Sequence, residues 1–576
     1  MSFRNIFTAI ALAAFSLGAW AVPAMPGLHR LTQPDGTVVE AYIHGDESFH
    51  YYETNAGELL MRDVKGTLRP VSVNDLGEIV VSGEITGRAT TDSQRAAFRN
   101  AVARKHDAVA RERMKTAPST ITQKFPTTGT VTGLILLCEF QDVKLTPAAT
   151  QEHYTHMCND RNYQSDATSG SVLDYFEAQS GGKFTPQFDV VGPITLPYDM
   201  AHYGATNDVK NLFRDAAIAA DEQGLDFSKY DVNDDGFVDF LFVVFAGYGE
   251  AQGGNWDTIW PAMQDVSNLV FDWFDGLNLS VAACASELKG NSGQNLDGVA
   301  TICHEFSHIL GLADIYDTSS QGGHGMSHYD IMDVGTYNDN LRTPSGYTAM
   351  DKFTLGWIEP KSLEEAGEYT LQPFSTSHES YFIVNPANSN EYYTLENRQL
   401  TSWDKGLPGH GLVISYCHYE PRLWRTNTVN STAKSYEHVR IMAADNLWIA
   451  NSNDPASTAN NEAGDPFPGT SGNASLSGTT TPAAVWNSTG KNVDWQVYDI
   501  RENEDGSVTF RFAPNASGLD AVNIAGESIT SGRGYIDAPE GARIFTLDGR
   551  ETSGRNLAAG IYIVVTANGA RKITVK

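Results

Sequence analysis

The stretch CHEFSHILGLADIYD, residues 303–317, places two histidines on either side of a glutamate and follows them with a glycine and an aspartate. His304 and His308 are four residues apart, so on a helix they lie on one face, one turn apart. Two imidazoles in that position can bind one metal ion, and Glu305 between them can reach a water molecule on the ion. A buried helix with two hydrogen-bonded histidines is the alternative explanation of HExxH alone. The glycine and the aspartate that follow favour the metal site.

A catalytic zinc ion usually has three protein ligands and one open position, so a third ligand is needed. Thermolysin-like enzymes supply a glutamate from a later helix, but the first glutamate after the motif is Glu359, which stands directly before a proline. Gly311 can take the left-handed conformation that ends a helix, and the chain can then fold back so that Asp314 faces the metal. His324 and His328, in the loop GGHGMSHYD, are rival ligands.

The spacing HExxHxxGxxD resembles the metzincin pattern in its aspartate form, which implies a methionine turn near the metal. Met332, in SHYDIMDVGTY, comes eighteen residues after Asp314 and is predicted to form this turn. Some metzincins carry a tyrosine two residues after that methionine to stabilise the oxyanion, but Val334 stands there in this chain, and Tyr337 is the nearest substitute. An aspartate ligand leaves the zinc less positive than a third histidine would, so Glu305 matters more as the general base.

Length and charge restrict the class of protein. The chain has 576 residues and a formal net charge of -30, which argues against binding to nucleic acid or to an anionic membrane surface. Its first residues, MSFRNIFTAIALAAFSLGAWAVPAMPG, contain a basic residue, an apolar run and an A-x-A sequence. This pattern predicts a secretory signal peptide, residues 1–21, with cleavage after Ala21. No other stretch approaches the roughly 18 apolar residues of a membrane span, so we expect an exported protein.

The five cysteines cannot all pair within one chain. Cys284 and Cys303 flank the glycine- and asparagine-rich loop KGNSGQNLDG and are a possible disulfide. Alternatively, all five are small buried residues, since Cys138, Cys303 and Cys417 stand in apolar stretches. In either case the chain is not a disulfide scaffold.

Changes of pattern predict four folded parts after the signal peptide. Residues 22–118 begin with short strand patterns and end in a basic helical segment, Arg88–Lys115, before a polar linker; this order predicts a propeptide, with a permanent accessory domain as the alternative. Residues 119–365 alternate strands with helices and predict a mixed sheet backed by helices, and the resemblance of their motif to that of the metzincins implies an α+β, zincin-like (metzincin) catalytic domain. Residues 366–515 have strand patterns, and residues 517–576 form another small β unit, so the C-terminal domains are predicted to be β-sandwich-like.

The stretch DVNDDGFVD, residues 231–239, copies the first nine positions of a calcium-binding loop, with oxygen ligands at alternate positions and a glycine at the sharp turn. Position twelve is Phe242 rather than a bidentate glutamate, so a polar turn before a strand is the alternative. We expect a structural calcium ion. Its ligands would be Asp231, Asn233, Asp235, Phe237 and Asp239.

Beyond the motif, the chain resembles the immune inhibitor A family of secreted bacterial metallopeptidases. HEFSHILGLADIYD is similar to that family's HExxHxxGxxDxYD, and IMDVGTY to its methionine turn, while SVLDYFEAQSGGKF, VFAGYGEAQGG, TLGWIEP, EYYTLENRQ and DKGLPGHGLVISY match its flanking blocks. The resemblance covers roughly residues 130–515, and GDESFHYYETNAGELL looks like the family's propeptide. It implies the family's fold, its zinc ion and its proteolytic activity. One departure is ISYCHYE, which stands where relatives often have IWHxD.

The C-terminal stretch ARIFTLDGRETSGRNLAAGIYIVVTANGARKITVK resembles the sorting domains of type IX secretion in Bacteroidetes. That resemblance implies contact with outer-membrane secretion machinery, attachment to the cell surface and a Gram-negative source. An ordinary β accessory domain is the alternative.

We therefore predict a secreted or cell-surface zinc endopeptidase, made as a zymogen, that cleaves protein substrates with Glu305 as the general base on a zinc-bound water. The alternatives are a catalytically inactive, surface-displayed adhesion or binding protein on a protease fold, and an enzyme that hydrolyses a non-peptide amide. A cysteine switch is excluded, because no cysteine lies between the signal peptide and Cys138. A direct block of the zinc would use an oxygen or nitrogen ligand such as Asp46 or His50, and a steric plug without ligation is equally compatible with the sequence.

Overall fold

The computed structural model describes residues 19–116, 125–165, 168–318, 325–431, 436–447, 461–514, 529–546, 550–566 and 569–575. Most of the predicted signal peptide, part of the polar linker, His324 and most of the LDGR sequence of the tail lie outside these residues. Among the helices described, none is long and apolar enough to cross a membrane. The chain divides into two compact units: Met1–Leu363, Thr370–Asn473 and Arg501–Thr509 form the first, and Glu364–Tyr369, Ala474–Ile500 and Phe510–Lys576 form the second.

The first unit begins with a short strand, a six-stranded antiparallel meander and one long helix. The meander strands pair in chain order, and alternate side chains of its first strand are buried, as expected for a sheet with one face against a core. Phe98 and Val102 of the helix pack on Phe49, Tyr51 and Leu59 of the sheet, so the predicted helix in the basic segment is confirmed. The elements are β1 (Ala19–Trp20), β2 (Leu28–Thr32), β3 (Val38–Gly45), β4 (His50–Thr54), β5 (Leu59–Arg62), β6 (Leu68–Val73), β7 (Ile79–Val81) and α1 (Asp92–Thr116).

Strands then alternate with helices, as the sequence predicts for the catalytic part. The elements are β8 (Gly129–Glu139), α2 (Gln151–Asn159), α3 (Val172–Ser180), β9 (Phe184–Thr195), α4 (Met200–Gly204), α5 (Val209–Glu222), β10 (Phe237–Val238), β11 (Leu241–Tyr248), β12 (Met263–Asp265), β13 (Asn278–Leu279), β14 (Val281–Leu288), α6 (Val299–Ile309) and α7 (Ala349–Thr354). Short 3-10 helices occur at Phe227–Tyr230, Glu250–Gln252, Ser327–Tyr329, Val334–Leu341 and Ser402–Asp404.

The central sheet has the strand order β1-β12-β14-β11-β8-β9. The pairs β8/β9, β8/β11 and β11/β14 are parallel, whereas β12 is antiparallel to β14, and β1 is antiparallel to β12. Successive side chains of β8 and β11 belong to two different hydrophobic cores, because helices cover both faces of the sheet. Helices α3 and α6 pack on one face and α5 packs on the other. Burial on both sides explains the continuous apolar runs of these strands. The predicted mixed sheet backed by helices is confirmed.

Helix α6 carries the HExxH motif and is buried along its whole length. It begins after Gly298, where a Cβ atom would lie 2.0 Å from the carbonyl oxygen of Leu341, so only glycine allows the chain to approach this closely. It ends before Gly311, whose φ of 103° lies in the left-handed region that favours glycine. The helix packs against β14 and β12. The motif therefore lies directly beside the antiparallel strand of the sheet.

All five cysteines are free and buried. Cys284 lies in β14 and Cys303 in α6, and no disulfide joins them. The prediction that all five are small buried residues is confirmed.

The remaining part is rich in strands, as predicted. The five-stranded sheet β15-β17-β18-β19-β20 belongs to the first unit, and two four-stranded sheets have the orders β16-β25-β24-β21 and β29-β28-β30-β31. The elements are β15 (Lys361–Ser362), β16 (Gly367–Leu371), α8 (Phe374–Ser377), β17 (Tyr381–Asn385), β18 (Asn388–Arg398), β19 (Gly411–His418), α9 (Pro421–Arg425), β20 (Val439–Ile441), β21 (Leu476–Ser477), β22 (Val485–Trp486), β23 (Lys491–Asn492), β24 (Gln496–Glu502), β25 (Val508–Ala513), β26 (Thr530–Gly532), β27 (Tyr535–Asp537), β28 (Arg543–Thr546), β29 (Glu551–Thr552), β30 (Gly560–Thr566) and β31 (Gly569–Val575).

A buried arginine connects β18 to the loops near the motif. Arg398 is fully buried, and it donates two hydrogen bonds to Asp404, at 2.8 and 2.6 Å, and one to Glu396 at 2.9 Å. Its remaining bonds go to the carbonyl oxygens of Tyr329, at 3.1 Å, and Gly346, at 3.0 Å. Because every charge in this group is paired, the arginine can hold the segment that leads to Met332 without leaving an unpaired buried charge.

Candidate active site

Helix α6 places the two histidines of the motif side by side. His304 and His308 are one turn apart, and their ring centroids are 4.8 Å from each other. Both side chains are fully buried, as is the carboxylate of Glu305. The two histidines therefore lie on one face of a helix, as their spacing in the sequence predicts.

The turn after α6 brings Asp314 to the two histidines. Asp314 Oδ1 lies 3.3 Å from His304 Nε2 and 3.3 Å from His308 Nε2, and the three ligand atoms lie within 4.8 Å of one another. The left-handed Gly311 makes this return possible, as the sequence predicts. The structure thus brings together the three residues predicted to bind zinc.

The atoms that face each other here lack hydrogen-bond partners. Within the described part of the chain, no group bonds to Nε2 of His304, Nε2 of His308 or Oδ1 of Asp314, although all three atoms are buried. The opposite ring nitrogens are bonded: Nδ1 of His304 donates to the Ile331 carbonyl at 2.7 Å, and Nδ1 of His308 donates to the Leu312 carbonyl at 2.9 Å. Such bonds select the tautomer whose Nε2 lone pair is free for a metal ion.

The protonation states also suit a metal ion. Burial lowers the pKa of His304, which keeps the ring neutral. Burial raises the pKa of Asp314, but the imidazoles of His308 and His304 outweigh this effect and hold the pKa below its usual range. Burial, and then the charge of Asp314, raise the pKa of Glu305 well above its usual range. A neutral imidazole and an ionised carboxylate are the forms in which histidine and aspartate bind a metal, so the lowered pKa values of His304 and Asp314 fit a zinc ion.

Asn427 braces Asp314 and was not recognised in the sequence. Its amide Nδ2 donates to Asp314 Oδ2 at 2.5 Å, and its Oδ1 accepts the main-chain N–H of Asp314 at 2.7 Å. The two residues are 113 positions apart, so no local pattern could pair them. These bonds leave Oδ1 as the carboxylate oxygen that faces the histidines.

The other predicted site residues have clear positions. Met332 is buried, and its carbonyl accepts the N–H of Ile315 at 2.9 Å, next to Asp314. His328 is not in the group formed by His304, His308 and Asp314, and its Nδ1 lies 2.6 Å from Glu462 Oε2; its role as a rival ligand stays a prediction. The rival His324 lies outside the described residues.

The predicted calcium loop forms a turn closed by its own side chains. Asp231 accepts the N–H of Asp235 at 2.9 Å, and Asp239 accepts the N–H of Val232 at 2.7 Å and the Asn233 side chain at 3.1 Å. In the described part of the chain, this loop is not among the groups of three ligand residues whose binding atoms lie within 4.8 Å of one another. A calcium ion at this loop stays a prediction.

A second group with metal-binding side chains comprises His418, Glu420 and His438. Both ring nitrogens of His418 have partners: Nδ1 lies 2.7 Å from the Tyr436 hydroxyl and Nε2 lies 3.1 Å from the Asn388 amide. His438 Nε2 lies 3.3 Å from Glu420 Oε1. Most ring nitrogens of this second group have a hydrogen-bond partner in the protein, whereas Nε2 of His304 and Nε2 of His308 have none.

The chain's own N-terminal segment lies against this site. β1 pairs with β12, and the Trp20 ring meets the ring of His308 edge-on, with centroids 5.4 Å apart. The main-chain N–H of Val22 donates to Glu305 Oε1 at 3.0 Å, and both Ala21 and Val22 are buried. The segment covers the residues that a substrate would have to reach.

Three aromatic side chains hold successive carbonyl groups of this segment. The Tyr316 hydroxyl donates to Ala21 at 2.9 Å, the Trp260 indole N–H donates to Val22 at 3.0 Å, and the Tyr337 hydroxyl donates to Pro23 at 2.5 Å. Neither Tyr316 nor Trp260 was recognised in the sequence. Tyr316 stands in the quoted motif, two residues after Asp314. This closeness to a predicted ligand is the sequence feature that could have indicated its place in the site.

The residues proposed as a direct zinc block are not at the ligand group. His50 stacks on Trp260 with ring centroids 4.9 Å apart, and its Nε2 lies 3.3 Å from Glu250. Asp46 accepts the main-chain N–H groups of Ser48 and Phe49. Neither residue is in the group formed by His304, His308 and Asp314, so a direct block of the zinc by either one stays a prediction.

Two histidines and an aspartate with unsatisfied atoms, beside a buried glutamate on a helix, are the residue types from which metallopeptidases build a metal site and a base. Residues 141–357 match the family described as immune inhibitor A peptidase M6, catalytic domain. The chain is 28% identical over 267 residues to immune inhibitor A of Bacillus thuringiensis subsp. alesti, a match that covers 38% of this chain and 38% of that protein. It is 26% identical over 307 residues to pre-pro-metalloprotease PrtV of Vibrio cholerae serotype O1 (strain M66-2), a match that covers 43% of this chain and 33% of that protein.

The matched region thus spans 38% and 33% of the lengths of these relatives. Residues 141–357 are thus similar to the catalytic domain of immune inhibitor A peptidases.

Replacing Asn427 by alanine should weaken zinc binding by about 10- to 100-fold, because Asp314 loses the bonds that orient its carboxylate. The affinity is measured by competition with a chromophoric chelator. His328→Ala is the control, since its ring bonds to Glu462 and its removal should leave zinc affinity unchanged. Wild-type affinity in Asn427→Ala would contradict the role of this brace.

Proposed function

We propose that the protein is a secreted zinc endopeptidase made as a zymogen. The proposal rests on two imidazole nitrogens and one carboxylate oxygen that lie close together next to Glu305. All three atoms are buried and have no hydrogen-bond partners. Such a group is costly to bury without a cation, because polar atoms that lose water need a partner. The relatives named as a metalloprotease and as immune inhibitor A support the same conclusion.

His304, His308 and Asp314 would hold the zinc ion, and Glu305 would move the proton. Zinc, when bound, supplies a Lewis acid that makes water a nucleophile at neutral pH. Glu305 takes a proton from the attacking water and delivers it to the nitrogen of the departing amine. The contact between Glu305 Oε1 and the Val22 nitrogen supports this role, since it is the contact that proton delivery requires.

The zymogen part of the proposal rests on Val22 and Pro23, which stay in the chain after the proposed cut following Ala21. The Val22 nitrogen bonds to Glu305, and Trp260 and Tyr337 hold the carbonyls of Val22 and Pro23. If a signal peptidase cuts after Ala21, the new amino group at Val22 remains beside Glu305. We therefore propose a steric plug on the leaving-group side of the cleft, with the meander and α1 holding the plug in place.

Further parts of the proposal rest on the sequence. We propose export by a signal peptide, residues 1–21, and cell-surface delivery by a sorting domain in residues 517–576, which implies a Gram-negative bacterium. We also propose a structural calcium ion at residues 231–239. Protein substrates are proposed from the names of the relatives.

Glu305→Gln should keep zinc and lose at least about a hundredfold in the rate of casein hydrolysis after limited trypsin treatment, because the amide cannot accept the proton from water. Zinc content is measured by atomic absorption alongside the rate. Glu359→Gln, at an exposed position, is the control and should behave as wild type.

A zinc-loaded Glu305→Gln protein with wild-type activity would refute the assignment of the base. A zinc-loaded wild type that cleaves no protein or peptide after trypsin would favour the binding-protein alternative.

Val22→Asp should make the full chain active before any cleavage by trypsin, because Val22 is buried and the cost of burying a carboxylate there expels the segment. Casein hydrolysis is followed before and during trypsin treatment. Val38→Asp makes the same change at a residue that is 48% exposed, and it should stay latent, like wild type, until the chain is cut. A Val22→Asp protein as latent as wild type would show that the segment is not the plug.

A further inference from the structure

The described segment Ala19–Pro23 lies in the candidate active site as an extended peptide would. β1 adds to the edge of the central sheet, antiparallel to β12, with Trp20 opposite Met263. Addition of a strand to a sheet edge is a general way to bind an extended peptide, because main-chain hydrogen bonds hold it. The segment is therefore a guide to the placement of a substrate.

One peptide bond of the segment is contacted at both of its polar atoms. The nitrogen of Val22 donates to Glu305 Oε1 at 3.0 Å, and the carbonyl oxygen of Ala21 accepts from the Tyr316 hydroxyl at 2.9 Å. Because Glu305 is the residue that would deliver a proton to the departing nitrogen, the Ala21–Val22 bond occupies the position of a bond to be cut. The carbonyl oxygen held by Tyr316 is the atom that gains negative charge when water adds to that bond.

We propose that Tyr316 is a catalytic residue that stabilises the oxyanion of the bond being hydrolysed; this inference rests on the peptidase function proposed above. The oxygen of water adds to the carbonyl carbon, and the proton of that water passes to Glu305. The carbon–nitrogen bond then breaks, and Glu305 gives the proton to the departing nitrogen. Tyr316 keeps its own proton throughout and donates a hydrogen bond that strengthens as the carbonyl oxygen becomes negative.

The turn that positions Asp314 also positions Tyr316. The N–H of Asp314 donates to Asn427 Oδ1 at 2.7 Å, and the N–H of Ile315 donates to the Met332 carbonyl at 2.9 Å. Tyr316 is itself buried. A donor held in place before the reaction, away from water, stabilises a developing charge most effectively.

Tyr337 and Trp260 contact carbonyl groups further along the segment. Tyr337, predicted from the sequence as the oxyanion stabiliser, donates to Pro23, and Trp260 donates to Val22. These carbonyls keep the same charge during hydrolysis, so their donors bind substrate and transition state equally. Tyr337 is therefore assigned to substrate binding and provides a matched control for Tyr316.

The test compares Tyr316→Phe with Tyr337→Phe in the full chain activated by limited trypsin treatment. The substrate is a quenched fluorescent peptide with the sequence GAWAVPAMPG of residues 18–27. Tyr316→Phe should lower kcat by about 100- to 1,000-fold, as loss of one oxyanion donor does, with KM within about threefold of wild type and full zinc content. Tyr337→Phe should raise KM and leave kcat within about threefold of wild type.

A phosphinic peptide that mimics the tetrahedral state of the Ala–Val bond gives a second measurement. Its affinity should fall in Tyr316→Phe by about the same factor as kcat/KM. A zinc-loaded Tyr316→Phe enzyme with kcat within about threefold of wild type would overturn the inference. Loss of zinc from this variant would overturn it too, since Tyr316 would then act by supporting the ligand turn. Different results would refute the proposed function itself: an activated wild type that cleaves no peptide, or a Glu305→Gln protein that keeps full activity.

Discussion

The site depends on one electrostatic constraint: three buried ligand atoms approach each other with no hydrogen-bond partner between them. His304 Nε2 and His308 Nε2 each lie 3.3 Å from Asp314 Oδ1, and the remaining polar atoms of all three side chains are bonded to the protein. Burial of these atoms without a hydrogen-bond partner is unfavourable unless a cation binds there. The left-handed Gly311, the bonds to the Ile331 and Leu312 carbonyls, and the buried Arg398 group all serve to keep these atoms in place.

The N-terminal segment lies against this same group of side chains. An edge strand beside the HExxH helix accepts another strand, and the described part of the chain supplies one in β1. The segment bonds to Glu305 at a peptide nitrogen and to Tyr316 at the preceding carbonyl. One short piece of chain thus indicates both how the site would be kept closed and how a substrate would be oriented. Latency and substrate binding would share the contacts of Glu305, Trp260 and Tyr337, because Val22 and Pro23 stay in the chain after a cut following Ala21.

The sequence predicted the parts of the site that depend on local spacing. His304, His308 and Glu305 follow from helix periodicity, and Asp314 follows from the glycine that ends the helix. The buried strand β8, the helix α1 and the mixed sheet were predicted from apolar and basic patterns. Asn427, 113 positions from Asp314, and Trp260, 238 positions from Val22, could not be predicted, because no local pattern reports a contact made across the fold. The contact of Tyr337 with the Pro23 carbonyl could not be predicted either, since spacing along the chain does not give the register of a bound peptide.

The most direct test of the zinc site is anomalous diffraction at the zinc absorption edge from crystals of the zinc-loaded full chain. We expect a zinc peak bonded to His304 Nε2, His308 Nε2 and Asp314 Oδ1, at about 2.0–2.2 Å from each atom. A zinc ion held instead by His328, or by His418, Glu420 and His438, with none at His304, would contradict it.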